Sequence, residues 1–178
     1  KYSVLTPYFD DNSLEKDFQF PLKYRKDSYR KTFKWLNKNC QKLITSDLDY
    51  EIPMQKMGFS TTFIPNPINT DKIVFQPIEN KNKNIIFLGI NRLSYIKKGI
   101  IYFEKTLEII REKYTNKVEI VISENLPYSE YISIYNKAHI VLDQVFAYDQ
   151  GYNALEAMAK GKVVFTGAET EFLNQYQL

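Results

Sequence analysis

Residues 148–165, YDQGYNALEAMAKGKVVF, decide the fold that this sequence predicts. The stretch predicts a loop, a helix and a strand, and the apolar run 140–142 before it is typical of a buried parallel strand. Gly151 lets the backbone approach a ligand closely, and a helix beginning there points its free N–H groups at the loop. Gly161 ends the helix, and residues 162–165 form the next strand. A strand, a ligand-facing loop and a helix in this order are half of a nucleotide-binding architecture.

Composition and charge narrow the class of protein. The chain has 178 residues, 44% of them hydrophobic and 15% aromatic, so we expect a packed core rather than disorder. Its 24 basic and 21 acidic residues give a net charge of +3, which is too balanced for a nucleic-acid binder. One cysteine, Cys40, and one histidine, His139, exclude an internal disulfide and a metal site of several cysteines or histidines. Without a long apolar run or a signal-peptide pattern, we expect a soluble cytoplasmic protein.

A regular alternation of strands and helices begins near residue 84. Apolar runs predict strands at 85–88, 118–122, 140–142 and 162–165, and helical spacing or helix-start signals predict helices at 98–113, from Pro127, from Gly151 and from about Glu169. This alternation predicts an α/β fold, a Rossmann-like parallel sheet with flanking helices, over residues 84–178.

The part before residue 84 predicts less than a domain. Residues 1–26 are irregular, and the rest holds two helices, 27–39 and 47–56, and two short strands, 42–45 and 61–64. These are too few to form a complete domain, so residues 1–64 are predicted to be a remnant of a larger N-terminal domain. Prolines and a polar run then predict a linker over 65–83.

Two cations stand in the loop after the first strand of the 84–178 region. Arg92 and Lys98 lie where an open α/β sheet binds ligands, beyond the carboxyl ends of its strands. A guanidinium and an ammonium suit a diphosphate, and they would also stabilise it as a leaving group. The alternative is a solvated basic loop. The presence of Gly151 and Glu156 at the same sheet edge favours the phosphate site.

Three other ionisable residues each leave two interpretations open. Glu156 is either a carboxylate that accepts hydrogen bonds from ribose hydroxyls or an exposed helix residue. His139 either starts a strand or takes part in catalysis. Asp143 either faces the ligand edge or simply ends its strand.

Three ordered stretches carry a resemblance to a known family. They are FIPNPIN at 63–69, Arg92 with Lys98 and Gly99, and the segment from Gly151 through Glu156 to Gly161. In these stretches the chain resembles the donor-binding half of retaining GT-B glycosyltransferases of the family 4 type (glycosyl transferases group 1), over residues of about 60–170. The resemblance implies two Rossmann-like domains around a cleft: 1–64 would belong to the acceptor side, 65–83 would be the hinge, and 84–178 would be an incomplete donor domain.

The resemblance also implies a site and a reaction. Arg92 and Lys98 would hold the donor diphosphate and Glu156 the ribose, with no metal or other cofactor. Leu126 would lie near the base, and a loop of Asp149, Gln150, Gly151 and Tyr152 would face the sugar and phosphates. The implied reaction moves a hexose from a donor such as a UDP- or GDP-hexose to a glycan or lipid-linked acceptor, in cell-surface polysaccharide biosynthesis, with the full-length protein at the inner face of the membrane.

The chain departs from the family at two points. The family carries a pair of glutamates, E-x7-E, but the position eight residues before Glu156 is Tyr148, and the nearest acid is Asp149. Either Asp149 shifts into this place or backbone amides near Gln150 and Gly151 take the role. The acceptor-loop glycines, the early N-terminal strands and the closing helices of the family are also absent, so we expect an excerpt of a longer protein that is inactive alone.

Two other classes remain as alternatives. One is a non-catalytic nucleotide-binding or glycan-binding module of the same fold, which the missing first glutamate favours. The other is a flavodoxin-like receiver domain, which needs an acidic cluster at the strand ends where this chain has a basic loop.

Overall fold

The chain divides into two units, Lys1–Pro65 and Asn66–Leu178. The computed structural model describes residues 26–77 and 82–178. The predicted irregular segment 1–26, apart from its last residue, and positions 78–81 of the predicted linker lie outside the described residues. The division falls at the start of the predicted linker 65–83. The roles given to that linker and to residues 1–64 stay predictions.

The first unit contains the predicted helices and short strands. They are α1 (Asp27–Asn39), β1 (Ile44–Thr45), α2 (Leu48–Lys56) and β2 (Thr62–Phe63), with β1 parallel to β2. Asp47 caps α2, since its side chain accepts a hydrogen bond from Tyr50 N. Asp27 lies in the first turn of α1. A carboxylate in that turn still favours the positive end of the helix dipole.

A buried carboxylate ties the described part of the first unit together. Glu51 of α2 accepts hydrogen bonds from Thr45 of β1, from Thr61 beside β2 at 2.6 Å, and from Gln55 at 2.6 Å. Burial raises the pKa of the Glu51 carboxyl, but these three hydrogen bonds outweigh it, so the pKa lies below its usual value. Glu51 is therefore an ionised structural residue that joins both short strands to α2.

The second unit is a four-stranded parallel sheet with flanking helices. Its elements are β3 (Asn84–Ile90), α3 (Ile100–Lys113), β4 (Val118–Glu124), α4 (Tyr128–Lys137), β5 (Ile140–Leu142), α5 (Tyr152–Ala159), β6 (Val163–Phe165) and α6 (Thr170–Tyr176). The strand order is β4-β3-β5-β6 and all three pairings are parallel. The predicted α/β class with a parallel sheet is confirmed, and the arrangement is compatible with a Rossmann-like half-domain.

The central strand β3 is buried on both faces. Ile86, Leu88 and Ile90 pack on one side against a cluster that includes Ile100 and Leu107 of α3. On the other side Phe87 packs against Tyr135 of α4 and Ala157 of α5. This explains why the strand is a continuous apolar run rather than an alternating one. Since β4 and β5 lie on opposite sides of β3, the chain changes direction between them, and such a point opens a crevice at the carboxyl ends of the strands.

Two glycines set the ends of helices. The helix predicted at 98–113 begins at Ile100, because Gly99 has a φ of 65° and its left-handed backbone cannot belong to the helix. A short 3-10 turn, Arg92–Ser94, occupies the preceding loop. Gly161, with a φ of 80°, ends α5 as predicted.

His139 starts β5 at the edge of the sheet opposite to the predicted ligand site. Its Nδ1 accepts a hydrogen bond from Ile85 N at 2.7 Å, and its own backbone N donates to Ile85 O at 2.9 Å. These contacts support the interpretation that His139 starts a strand. Within residues 26–77 and 82–178, no helix has the length and apolar character needed to cross a bilayer.

Candidate functional site

A cavity of about 370 Å³ opens at the carboxyl ends of β3 and β4. Its lining combines amide and hydroxyl side chains and one ammonium group with apolar surface from Ile90 and Leu126. The described residues that line it are Gly89, Ile90, Asn91, Lys98, Ser123, Asn125, Leu126, Tyr131 and Asn153. Two of the predicted site residues, Lys98 and Leu126, belong to this lining. The cavity therefore lies where the sequence predicts a ligand, at the strand ends of the α/β sheet.

One wall of the cavity depends on a glycine. A Cβ on Gly89 would lie 2.8 Å from Cε2 of Tyr131, so only glycine lets this ring pack against β3. The Tyr131 hydroxyl donates to Asn153 Oδ1 at 2.8 Å, and the Tyr135 hydroxyl donates to Asn153 O at 2.7 Å. Burial raises the pKa of both tyrosines, so both hydroxyls stay protonated donors. The two rings thereby fix Asn153 at the start of α5.

A buried carboxylate beside the cavity joins three segments of the chain. Asp143, directly after β5, accepts hydrogen bonds through Oδ1 from Lys98 Nζ at 2.9 Å and Asn153 Nδ2 at 3.0 Å. Its Oδ2 accepts from Thr166 Oγ1, just after β6, at 3.3 Å. Asp143 thus contacts Lys98 of the cavity lining but does not itself belong to that lining. The ammonium of Lys98 is thus held at the cavity, with a carboxylate next to it.

Arg92 lies at the rim of the cavity rather than in its lining. Its Nε and Nη2 donate to the two carboxylate oxygens of Glu124 at 2.7 and 2.6 Å, and its guanidinium lies 5.1 Å from the centre of the Tyr95 ring. The chain neighbours of this pair, Asn91 on one side and Asn125 on the other, line the cavity. The hydrogen bond from Arg92 lowers the pKa of Glu124, so the pair is ionised.

The predicted ribose residue Glu156 lies outside the cavity lining, and its side chain is about one-third exposed. Its Oε1 pairs with Lys160 Nζ at 2.7 Å. Lys160 is buried, donates to Asn136 Oδ1 at 2.9 Å, and lies 5.0 Å from the centre of the Tyr135 ring. The ion pair with the buried Lys160 therefore holds the Glu156 side chain in place.

The predicted sugar-facing loop leads into α5. Gly151 occupies the N-cap, and a Cβ there would meet nothing within 4 Å. Tyr152 is exposed, Gln150 is half-buried, and Asp149 is buried, as is Tyr148 at the position of the family's first glutamate. None of these described residues lines the cavity, although Asn153, two positions after Gly151, does.

Sequence reasoning did not single out Asn91, Ser123, Glu124, Asn125 or Asn153. One signal was available: Asn125 follows a strand and has a φ of 50°, a backbone conformation that asparagine tolerates better than most residues. Glu124 and Asn153 had no such signal, because their partners are distant in the chain.

Comparison with known proteins assigns the chain to no family. No model of a known protein family matches the chain, and a search of curated proteins finds no match either.

Proposed function

We propose that the second unit binds a nucleotide sugar and that the protein is a retaining hexosyltransferase with a GT-B arrangement. The observation that carries the proposal is the position of Lys98, whose ammonium is anchored at the cavity at the strand ends, with Arg92 at its rim. Uncharged amides and hydroxyls suit a base or sugar, which needs directional hydrogen bonds, and the two cations suit a diphosphate. Both parts of a nucleotide sugar thus have partners at one edge of the sheet.

The proposed reaction breaks the bond between the anomeric carbon of the hexose and the diphosphate oxygen. A hydroxyl oxygen of the glycan or lipid-linked acceptor forms the new bond, and its proton leaves with the diphosphate. Negative charge grows on the leaving diphosphate, and Arg92 and Lys98 stabilise it where a metal would otherwise be needed. The acceptor suggests cell-surface polysaccharide synthesis at the inner face of a membrane, which is part of the same proposal.

The remaining residues have proposed roles along the donor. Leu126, in the cavity lining, contacts the base, and Glu156 accepts hydrogen bonds from the ribose, oriented by Lys160. The sugar and phosphates are faced by Asp149, Gln150 and Gly151 of the loop before α5 and by Tyr152, the first residue of that helix. The N-terminus of α5 adds free N–H groups for a phosphate or sugar oxygen.

Calorimetry with UDP, GDP and their hexose conjugates tests the proposal on the intact protein. We expect one of them to bind and Arg92→Ala to weaken it. Lys105→Ala removes a basic residue from the exposed side of α3 and is the matched control. Lack of binding by every nucleotide, or an Arg92→Ala variant that binds as tightly as the wild type, would contradict the proposal.

A non-catalytic nucleotide-binding or glycan-binding module is the second candidate, and Tyr148 in place of a glutamate favours it. The two candidates differ in product. Formation of a glycosylated acceptor by the full-length protein, lost in Glu156→Ala while the circular dichroism spectrum is unchanged, would exclude the binding module. Tight nucleotide binding without any turnover would support it.

A further inference from the structure

The two cations of the site are both paired with carboxylates, but the two carboxylates differ in their surroundings. The Asp143 side chain is only 2% exposed and is also held by Asn153 and Thr166. The Glu124 side chain is 41% exposed, and Arg92 is its hydrogen-bond partner within the described part of the chain. Asp143 therefore cannot leave Lys98 without being stranded in a buried place, whereas Glu124 can turn into water.

The Arg92–Glu124 contact has the geometry of an anion site that is already filled. Two parallel N–H···O bonds, at 2.7 and 2.6 Å, join the fork of the guanidinium to both oxygens of one carboxylate. A phosphate group takes this same bidentate position on arginine. The Tyr95 ring also lies 5.1 Å from the guanidinium carbon, so Arg92 has an aromatic contact in addition to its carboxylate partner.

We propose that Glu124 occupies the diphosphate position on Arg92 while the site is empty, and that the donor must displace it in order to bind. This inference rests on the proposed nucleotide-sugar function and adds a specificity-determining residue to it. A ligand must offer an oxygen pair that competes with a bidentate carboxylate, which a diphosphate does and a single weak anion does not. Lys98 stays paired with Asp143 whether or not the donor is bound. Arg92, by contrast, exchanges its pairing with Glu124 for a pairing with the ligand.

Glu124→Gln tests the competition, because it removes the charge of the competitor and keeps its shape. Isothermal titration of the intact protein with inorganic pyrophosphate, UDP and GDP should show affinity for the diphosphates rising about two- to five-fold, the range expected when one exposed ion pair no longer competes. Binding of uridine and guanosine should be unchanged. The gain should shrink at high salt and disappear in the Arg92→Ala/Glu124→Gln double variant.

Glu119→Gln is the matched control. Glu119 is exposed and lies on the same strand, five residues before Glu124. At about 3.3 Å per residue it is roughly 16 Å away, about twice the Debye length of about 8 Å at physiological salt. It should therefore leave diphosphate affinity unchanged.

The outcomes separate this inference from the function on which it rests. If wild type and Glu124→Gln bind the diphosphates equally well, or if the variant binds them more weakly, Glu124 does not compete for Arg92 and the inference is wrong. If neither protein binds any nucleotide or pyrophosphate, the nucleotide-sugar function itself fails.

Discussion

The contact between Lys98 and Asp143 makes a sharp prediction about stability. Asp143→Asn removes the charge that balances the Lys98 ammonium, and Lys98→Met leaves the Asp143 carboxylate buried beside a thioether. Removing one member of a buried pair costs about 3–5 kcal/mol. In Asp143→Asn the Lys98 side chain, 28% exposed, can reach water, and in Lys98→Met the Asp143 carboxylate keeps its hydrogen bonds from Asn153 and Thr166. We therefore expect the low end, about 3 kcal/mol, for each single variant.

The double variant Lys98→Met/Asp143→Asn should cost far less than the sum. An asparagine at 143 keeps an oxygen for the Asn153 amide and a polar group for Thr166, and no charge remains uncompensated. We expect a loss of about 3 kcal/mol instead of the roughly 6 kcal/mol that additivity requires, which is a coupling energy of about 3 kcal/mol.

Urea unfolding measures these values if the probe reports on the second unit. The single tryptophan of the chain, Trp35, lies in α1 of the first unit, so its fluorescence does not follow the second. Circular dichroism combined with hydrogen exchange at the Leu142 amide of β5 is suitable. With a slope of about 2 kcal/mol per molar urea, each single variant should lower the midpoint by about 1.5 M. Additive losses in the double variant would refute the coupling of Lys98 to Asp143.

Three further substitutions or conditions have outcomes fixed by the structure. Gly151→Ala should change stability by less than about 1 kcal/mol, because its Cβ meets open space, while weakening nucleotide binding in a thermal-shift assay if a ligand approaches that backbone. Gly167→Ala should lower the melting temperature strongly, by several degrees or more, because its Cβ would lie 2.7 Å from Ala147 N and O, backbone atoms that cannot turn away. Glu51 has a depressed pKa in the folded chain, so its contribution is complete above its ordinary pKa near 4.5 and is lost as the pH falls through the folded value. Trp35 fluorescence during acid titration should therefore show a steeper loss of the first unit in the wild type than in Glu51→Gln; equal slopes would contradict the assignment.

Much of the second unit was predictable because its signals are local. Apolar runs predicted β3, β4 and β5, and the helix-start signal at Pro127 predicted α4, which begins at Tyr128. The main error in this unit, the start of α3, came from a backbone angle at Gly99 that spacing does not encode.

The candidate site was less predictable because its contacts join distant parts of the chain. The sequence identified Arg92 and Lys98 as cations at the carboxyl-terminal edge of the sheet. It did not identify their partners, which are 32 and 45 residues away. Glu124 ends a strand and looks like any exposed acid, and Asp143 was open between two interpretations. Only the parallel order of the strands brings these carboxylates to the cations.

The position of Glu156 determines the path that the proposed donor follows from the cavity along the second unit. Glu156 lies outside the cavity, whereas Asn153, three residues earlier on α5, lines it. A ligand whose base fills the cavity can therefore meet Glu156 only if the rest of it leaves the cavity past the start of α5. Gly151 has open space where a Cβ would be, so a ligand can pass there on this path. Gly167 is closed in by backbone, so a ligand cannot pass there. If Gly151→Ala weakens binding of UDP or GDP but not of uridine or guanosine, the phosphates follow this course. If it weakens both equally, the nucleoside part of the ligand, its base or its ribose, lies against Gly151, and the phosphates do not follow this course.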